Sequence, residues 1–322
     1  MAEISDIEWT DATWNPITGC SVVSPGCTNR YAMRLAGTRL KDHPSREGLT
    51  YSGKAGPVWT GEVRFNEVWL DQPWCWRNPR MIFVCAHGDL FHERVPDEWI
   101  DRVFQVMEAA DWHTYQVLTK RSGRQRDYLI ERYRDCKPPA HIWLGVSVED
   151  QRRANERIPD LLATPAAVRW ISAEPLLGPV DIQPWLTTQR SMANMAAIAL
   201  RGQIGHPARS SFISTRLDWV VVGGESGPGA RPMHPHWVRR LRDDCEAEKV
   251  PFFFKQWGEW GVHGQFPIEA ITSPPVVKTL SLTGEVSDPP SPFNWTICRI
   301  GKRAAGALLD GRHHHEWPRV SR

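Results

Sequence analysis

Met81-Ile82-Phe83-Val84-Cys85-Ala86-His87-Gly88-Asp89 opens the most regular part of the chain, and its first six residues are apolar. A continuous apolar run of this length is typical of a strand that is buried on both faces. Pro96 precedes a helical pattern from Asp97 to Ala110, in which apolar residues recur on one face. A buried strand followed by an amphipathic helix is the repeating unit of a parallel sheet.

The same unit recurs along the chain. Further strands are predicted at Thr114–Leu118, Ile142–Val148, Val168–Ser172, Leu217–Val222 and Val250–Phe254, and an earlier one within Ile7–Thr18. Strands and helices that alternate at this spacing predict right-handed crossovers and a parallel sheet. The fold class is therefore α/β, with a full or partial TIM-like (β/α) barrel of six to seven parallel strands.

Two segments interrupt this pattern and define the domain organisation. Residues 1–260 are predicted to form the barrel, with an insertion at about 187–216 that contains Arg190, Gly202, Gly205 and Pro207 and is predicted to be part amphipathic helix and part flexible loop. Residues 261–322 carry several prolines and are predicted to form a loop-rich C-terminal extension that packs on the barrel.

The composition excludes several classes of protein. The chain has 322 residues, 41% hydrophobic content and a formal net charge of +2, which argues against binding nucleic acid through bulk charge alone. No apolar run is long enough to span a bilayer, and the N-terminus is polar and acidic, so we expect a cytoplasmic protein. The seven cysteines are an odd number without regular spacing beyond the first pair, which favours reduced thiols over a disulfide scaffold.

Polar side chains follow each predicted strand, at the end of a barrel where catalytic residues gather. They are Asp89, His92, Lys120, Arg121, Ser147, Glu149, Glu174, Glu225, Ser226, Lys255 and Gln256. Within this set, Lys120, Arg121, Glu174 and Glu225 are the candidate catalytic residues, and the two cations are the candidates for contact with an anionic substrate. The amides of Gly223 and Gly224 are candidates for binding a ligand's carboxylate or phosphate. We expect the functional site at this face.

A second signal lies near the N-terminus, where Cys20 and Cys27 are separated by six residues in a loop rich in glycine, proline and serine. Thiolates at this kind of spacing converge on one iron–sulfur cluster, because loop glycines let the backbone curl around it. The two cysteines are therefore the predicted metal ligands.

The segment around this loop resembles a three-Cys-motif phage protein family, whose members look like radical S-adenosylmethionine enzymes. The family pattern is W-N-P-x-x-G-C, six residues, then C-x-x-C-Y-A, and it is matched by Trp14-Asn15-Pro16, Gly19-Cys20, Cys27 and Tyr31-Ala32. The position of the third cysteine is taken by Arg30. Arginine carries a permanent positive charge and has no lone pair for iron.

The resemblance implies a cofactor set and a substrate class. It implies a 4Fe–4S cluster held by three thiolates, S-adenosylmethionine on the open iron, an electron donor, and modification or repair of nucleic acid. By the same resemblance, Asp89 would bind the amino group of S-adenosylmethionine, and Ser147, Glu149 or Glu174 would bind its ribose hydroxyls. Glu225, Gly223 and Gly224 complete the expected cofactor-binding residues.

Two other functions remain open from the sequence. In the first, the chain is a non-catalytic barrel that binds a ligand, and Arg30 pairs with a strand-end carboxylate in the space left by the cluster. In the second, the carboxylates of Asp89, Glu149, Glu174 and Glu225, with His92, bind a divalent metal for a hydrolase or lyase, and the cysteines are incidental.

Overall fold

A seven-stranded parallel sheet forms the centre of the molecule. The computed structural model describes residues 5, 7–187, 216–264, 275–287 and 294–319. Strand order along the sheet follows the chain order, and every neighbouring pair is parallel. The strands are β1 (Ala12–Trp14), β6 (Met81–Val84), β7 (Thr114–Thr119), β8 (Ile142–Ser147), β9 (Val168–Ala173), β10 (Trp219–Gly223) and β11 (Phe252–Gln256). Within the described residues β1 and β11 do not pair, so the sheet forms a partial TIM-like barrel.

Four helices follow the strands as the sequence predicted. They are α3 (Asp97–Ala109), α4 (Ser122–Arg132), α5 (Gln151–Ala163) and α6 (Pro235–Ala247). Asp97 and Glu98 occupy the first turn of α3, where acidic side chains interact favourably with the helix dipole. At α5, the side chain of Asp150 accepts a hydrogen bond from the Arg153 amide at 2.8 Å and caps the helix. The short helices are α1 (Tyr31–Ala36), α2 (Gln72–Cys75) and α7 (Lys302–Ala305).

The two faces of the sheet bury different side chains, because successive residues of a strand point to opposite faces. In β6, Ile82 and Val84 belong to the large core formed with the helices, whereas Phe83 belongs to a second core on the inner face. Aromatic rings dominate this inner core, which contains Trp9, Phe83, Trp143, Trp170, Trp219 and Phe253. Gly145 is required in β8, because a Cβ atom there would lie 2.5 Å from Cε2 of Trp170.

Polar side chains replace these rings toward the carboxyl ends of the same strands. The two-residue alternation places Ser147 of β8 on the face of Trp143, and Lys255 of β11 on the face of Phe253. Along the strands, the inner face thus changes from the aromatic core, called here the aromatic floor, to the polar side chains at the carboxyl ends, called here the polar mouth. The sequence predicted the functional site at these carboxyl ends.

Short antiparallel strands flank the barrel. β2 (Ile17–Thr18) pairs with β5 (Arg64–Phe65), and β3 (Thr50–Gly53) forms a hairpin with β4 (Gly56–Trp59). The C-terminal extension contains more regular structure than a loop-rich tail, since it forms a four-stranded antiparallel sheet. Its strands, in sheet order, are β12 (Trp260–Val262), β15 (Trp295–Arg299), β13 (Val276–Leu280) and β14 (Val286–Ser287).

The end of the extension contacts strand β11, where the amide of Phe254 donates to the carbonyl of His314 at 2.8 Å. The predicted insertion lies outside the described residues at 188–215. In the described part of the chain, no helix combines the length and the apolar character needed to cross a bilayer.

Candidate functional site

The cysteine loop lies against the end of β6. The amide of Gly19 donates to the carbonyl of His87 at 3.2 Å, and Gly19 and Gly88 form a parallel bridge. Both positions exclude a side chain, because a Cβ atom on Gly19 would lie 2.2 Å from the carbonyl oxygen of Glu62 and one on Gly88 would lie 2.8 Å from that of Ile17. This contact carries the two cysteines to the carboxyl ends of the strands, as the sequence predicted.

Cys20 is buried between two guanidinium groups. Its sulfur lies 3.4 Å from Nη1 of Arg121 and 3.8 Å from Nη1 of Arg30. Arg30 also donates through Nη2 to the carbonyl of Gly88 at 3.1 Å. Burial raises the pKa of the Cys20 thiol above its ordinary value, although both guanidinium groups oppose the shift. The sequence allowed Arg30 to pair with a strand-end carboxylate, but its side-chain partners are a thiol and a carbonyl.

The pKa of the Cys27 thiol is shifted in the opposite direction from that of Cys20. Burial disfavours its thiolate, but Lys120, Arg30 and the backbone amides of Val23 and Ser24 outweigh burial, so the pKa of Cys27 is below its ordinary value. The hydroxyl of Ser24 lies 3.7 Å from the Cys27 sulfur. Cationic neighbours of this kind stabilise a thiolate, the form of cysteine that acts as nucleophile or metal ligand.

Glu149 anchors the cysteine loop to the barrel. Its carboxylate is fully buried and contacts Lys120 Nζ at 3.0 Å, Arg157 Nη1 at 2.8 Å and the Ser24 hydroxyl at 2.5 Å. Burial raises the pKa of Glu149, but the two cations outweigh burial and hold that pKa below its ordinary value. Gly26 approaches so closely that a Cβ atom there would lie 2.4 Å from Cγ of Glu149.

Arg157 belongs to the site but was not among the site residues predicted from the sequence. It is 5% exposed and also donates to the carbonyl of Ser147. The helix α5 passes beside the end of β8, so the side of the helix that bears Arg157 faces the polar mouth. The only sequence signal was a candidate partner, Glu149, shortly before the helix.

Asp89 connects the ends of β6 and β7. Its Oδ1 accepts from the Phe91 amide at 3.0 Å and the Thr119 hydroxyl at 2.7 Å, and its Oδ2 accepts from the Lys120 amide at 3.2 Å and Arg121 Nη1 at 3.0 Å. A carboxylate has about four acceptor positions. All of them are used within the protein, so Asp89 has no acceptor left for a ligand's amino group and the expected role is not supported.

The loop residue Ser21 joins His92 to the same cluster. Its hydroxyl lies 3.1 Å from Nε2 of His92 and accepts from Nη2 of Arg121 at 2.6 Å. His92 is therefore part of the site's hydrogen-bond network, together with the loop. Burial and the nearby Arg121 hold the pKa of His92 below its ordinary value.

The remaining strand-end carboxylates are also paired with cations. Glu225 Oε1 contacts Arg231 Nη2 at 2.6 Å, and its Oε2 accepts from Asn29 Nδ2 at 3.0 Å, which ties the cysteine loop to β10. Glu174 Oε1 contacts Lys255 Nζ at 2.7 Å. These contacts bring the cysteine loop and the predicted site residues of six successive strands, β6 to β11, to one end of the sheet.

Gly223 and Gly224 have a packing explanation. A Cβ atom on Gly224 would lie 1.9 Å from the carbonyl oxygen of Trp257, and one on Gly223 would lie 3.1 Å from Cδ of Glu174. The amide of Gly224 donates to the carbonyl of Gln256 at 2.8 Å, so it is engaged within the protein. Close packing at the end of β10 therefore accounts for this glycine pair without a ligand.

The residues of the site do not fit a three-thiolate cluster. Among the described residues, no group of three His, Cys, Asp or Glu side chains is arranged to hold a metal ion. Arg30 stands in the third cysteine position and offers donors only. Burial raises the pKa of Cys85 to about 12, so that thiol is neutral. The cation partners of Glu149, Glu174 and Glu225 likewise disfavour the divalent-metal site considered from the sequence.

Comparison with known proteins identifies a family without identifying a reaction. A search of curated proteins and a search of solved structures each found no match. A family model described as "Protein of unknown function (DUF5131)" matches residues 4–318. That description names neither an iron–sulfur cluster nor S-adenosylmethionine. Because the match spans nearly the whole sequence, the chain belongs to this family of unknown function, DUF5131.

Proposed function

We propose that this chain has a radical-SAM-like barrel in which Arg30 occupies the cluster's third ligand position, and that the chain binds a small molecule without radical chemistry. The proposal rests on one observation, the position of the Arg30 side chain. Its guanidinium lies 3.8 Å from the Cys20 sulfur and 3.1 Å from the Gly88 carbonyl oxygen.

This arrangement is unsuited to iron for two reasons. A guanidinium group remains protonated and presents donors without an acceptor, so it cannot replace a thiolate ligand. The nearby sulfurs of Cys20 and Cys27 raise the pKa of Arg30 further, although burial opposes this shift. Arg30 thus supplies positive charge beside the two sulfurs, where a cluster would need a third anionic ligand.

The second candidate is an active radical-SAM-like enzyme that modifies or repairs nucleic acid and receives electrons from a partner. The depressed pKa of Cys27 favours it, because a cluster ligand must be a thiolate. In such an enzyme, the third ligand of the cluster would come from outside the cysteine loop. Lys120 and Arg121 form ion pairs with Glu149 and Asp89, so a nucleic-acid phosphate would have to compete with these carboxylates.

Anaerobic reconstitution with iron and sulfide tests the proposal. The unaltered chain and the variants Arg30→Cys and Arg30→Lys are compared for bound iron, bound sulfide, visible absorbance and 5′-deoxyadenosine formed with a reductant. We expect about four iron atoms per chain in Arg30→Cys and none in the other two proteins, because only Arg30→Cys supplies a third thiolate. Arg30→Cys with Cys27→Ser is the matched control and should lose the iron again.

The remaining outcomes separate the alternatives. A cluster and 5′-deoxyadenosine formation in the unaltered chain would overturn the binding proposal in favour of the enzyme. Hydrolysis that depends on a divalent metal, with no iron in any variant, would overturn it in favour of the carboxylate metal site.

A further inference from the structure

Arg46 is a buried cation without a counter-ion among the described residues. It is 3% exposed, and Nη1 donates to the carbonyl of Ser45 at 3.1 Å and to the Ser45 hydroxyl at 2.8 Å. Its Nε is buried and has no partner among the described residues. The guanidinium carbon lies 5.9 Å from the centre of the Trp69 ring. No described carboxylate lies within ion-pair distance, and burial lowers the pKa of Arg46 to about 10.

Two buried arginines near the polar mouth, Arg121 and Arg157, are different. Arg121 contacts Asp89 at 3.0 Å and Arg157 contacts Glu149 at 2.8 Å. A buried charge that lacks a partner is costly, because the protein does not replace the solvation lost from water. Arg46 thus differs from Arg121 and Arg157 in having no carboxylate partner among the described residues.

The surroundings of Arg46 contain a second unused polar atom. Nδ1 of His87 is buried and has no hydrogen-bond partner in the described part of the chain, while Nε2 lies 3.4 Å from the Tyr31 hydroxyl. Burial, together with the charges of Arg46 and Arg30, lowers the pKa of His87 to about 3. The imidazole is therefore neutral at pH 7, and when the Tyr31 hydroxyl donates to Nε2, Nδ1 carries the proton and becomes a donor.

Arg46 and His87 are held near the same junction between the cysteine loop and β6. The carbonyl of Ser45, next to Arg46, accepts from the Thr18 hydroxyl at 2.7 Å. The following residue, Gly19, donates to the carbonyl of His87 at 3.2 Å. Arg30 donates to the carbonyl of Gly88, the residue after His87. Two cations and one neutral donor thus surround this junction.

We propose that Arg46, with His87 and the neighbouring Arg30, binds the carboxylate or phosphate group of a small molecule. Such a group supplies the negative charge and the acceptors that these side chains lack, and arginine binds both groups through paired hydrogen bonds. The inference rests on the proposed ligand-binding function and specifies the class of ligand, an anion.

Thermal unfolding in matched salts tests this inference. The unaltered chain and Arg46→Gln are compared at pH 7 in chloride, acetate and inorganic phosphate at equal ionic strength. We expect acetate or phosphate to raise the melting temperature of the unaltered chain above its value in chloride, because a ligand that binds only the folded state stabilises it. Arg46→Gln should lose this increase and, in chloride, should be at least as stable as the unaltered chain. A response to acetate alone assigns the site to carboxylates, and a response to phosphate alone assigns it to phosphates.

Two control variants separate anion binding from a structural role. Arg169 is equally buried at 2% exposure but lies at the other end of the sheet, where it donates to the carbonyl of Thr164. Arg169→Gln should destabilise the protein and keep the anion response, whereas His87→Ala should weaken that response. The inference is overturned if Arg46→Gln is destabilised equally in all three salts, or if it retains the full response.

Calorimetric titration of phosphate and of acetate into the unaltered chain and into His87→Ala provides the same test if Arg46→Gln does not fold. No heat of binding with either anion would then overturn the inference. Because iron and 5′-deoxyadenosine are not measured here, failure of this test is distinguishable from failure of the proposed function.

Discussion

Replacing Glu149 with glutamine should reduce the free energy of unfolding by about 3–5 kcal/mol, because it leaves buried cations without a counter-ion. The side chains of Lys120 and Arg157 are 10% and 6% exposed, and both contact this fully buried carboxylate. Glutamine retains an acceptor for the Ser24 hydroxyl but loses the charge. A typical domain has about 5–15 kcal/mol of stability, so the loss is a large fraction of the total. Urea unfolding monitored by tryptophan fluorescence measures this reduction in the free energy of unfolding.

The effect of Glu149→Gln should depend on pH. The pKa of Glu149 in the folded protein lies below its ordinary value of 4.5. The carboxylate therefore stabilises the fold fully above the pKa of the unfolded state, and this contribution is lost as the pH falls through the folded-state pKa. The difference in stability between the two proteins should be largest near pH 7 and should shrink in acid.

Glu156, on the helix α5 that follows Glu149, provides a matched control. It also contacts two arginines, Arg152 at 2.9 Å and Arg153 at 2.5 Å, but its side chain is 44% exposed. Ion pairs in contact with solvent contribute about 0–1 kcal/mol, so Glu156→Gln should have little effect. Equal losses of stability in Glu149→Gln and Glu156→Gln would refute the reasoning that burial makes the Glu149 cluster important.

Two further predictions concern the pKa of the Cys27 thiol and the packing of Gly145 in the aromatic floor. In a background with Cys75→Ser and Cys136→Ser, Lys120→Met should move the alkylation of Cys27 by iodoacetamide to higher pH, because Lys120 lowers the pKa of that thiol. Mass spectrometry measures the modification at Cys27 as a function of pH. An unchanged pH profile would contradict this prediction. Gly145→Ala should cost about 1–3 kcal/mol by overpacking, since its Cβ would lie 2.5 Å from Trp170. Gly178→Ala is the control, because its nearest neighbour would be 3.8 Å away, and urea unfolding should show a change within about 0.5 kcal/mol.

Much of the barrel could be predicted because its strands are buried on both faces. Val84 and Phe83 belong to opposite cores, so the strand between Met81 and Val84 is a continuous apolar run. Such runs bounded by amphipathic helices are a strong local signal. The strands of the C-terminal extension were harder to predict, because they have only two to five residues and present too few alternating positions.

The candidate site was predicted in its position but less well in its roles. Parallel strands carry their carboxyl ends to the same edge, so Asp89, Glu149 and Glu225 were expected together. Their roles depend on partners distant in sequence, such as Ser24 for Glu149 at a separation of 125 residues. Asp89 shows the consequence, since four protein donors occupy the carboxylate that was expected to bind a ligand.

The sequence by itself determined the order of strands and helices, the position of the cysteine loop and the replacement of the third cysteine by Arg30. These features follow from local patterns of apolar residues, glycines and thiols. Only the tertiary structure decided which charges neutralise each other, that Arg157 faces inward and that Arg46 is buried with no counter-ion from the residues that the structure describes. The physical reason is that the cost of burying a charge depends on solvent exposure and on neighbours from distant parts of the chain, and neither is encoded in local periodicity.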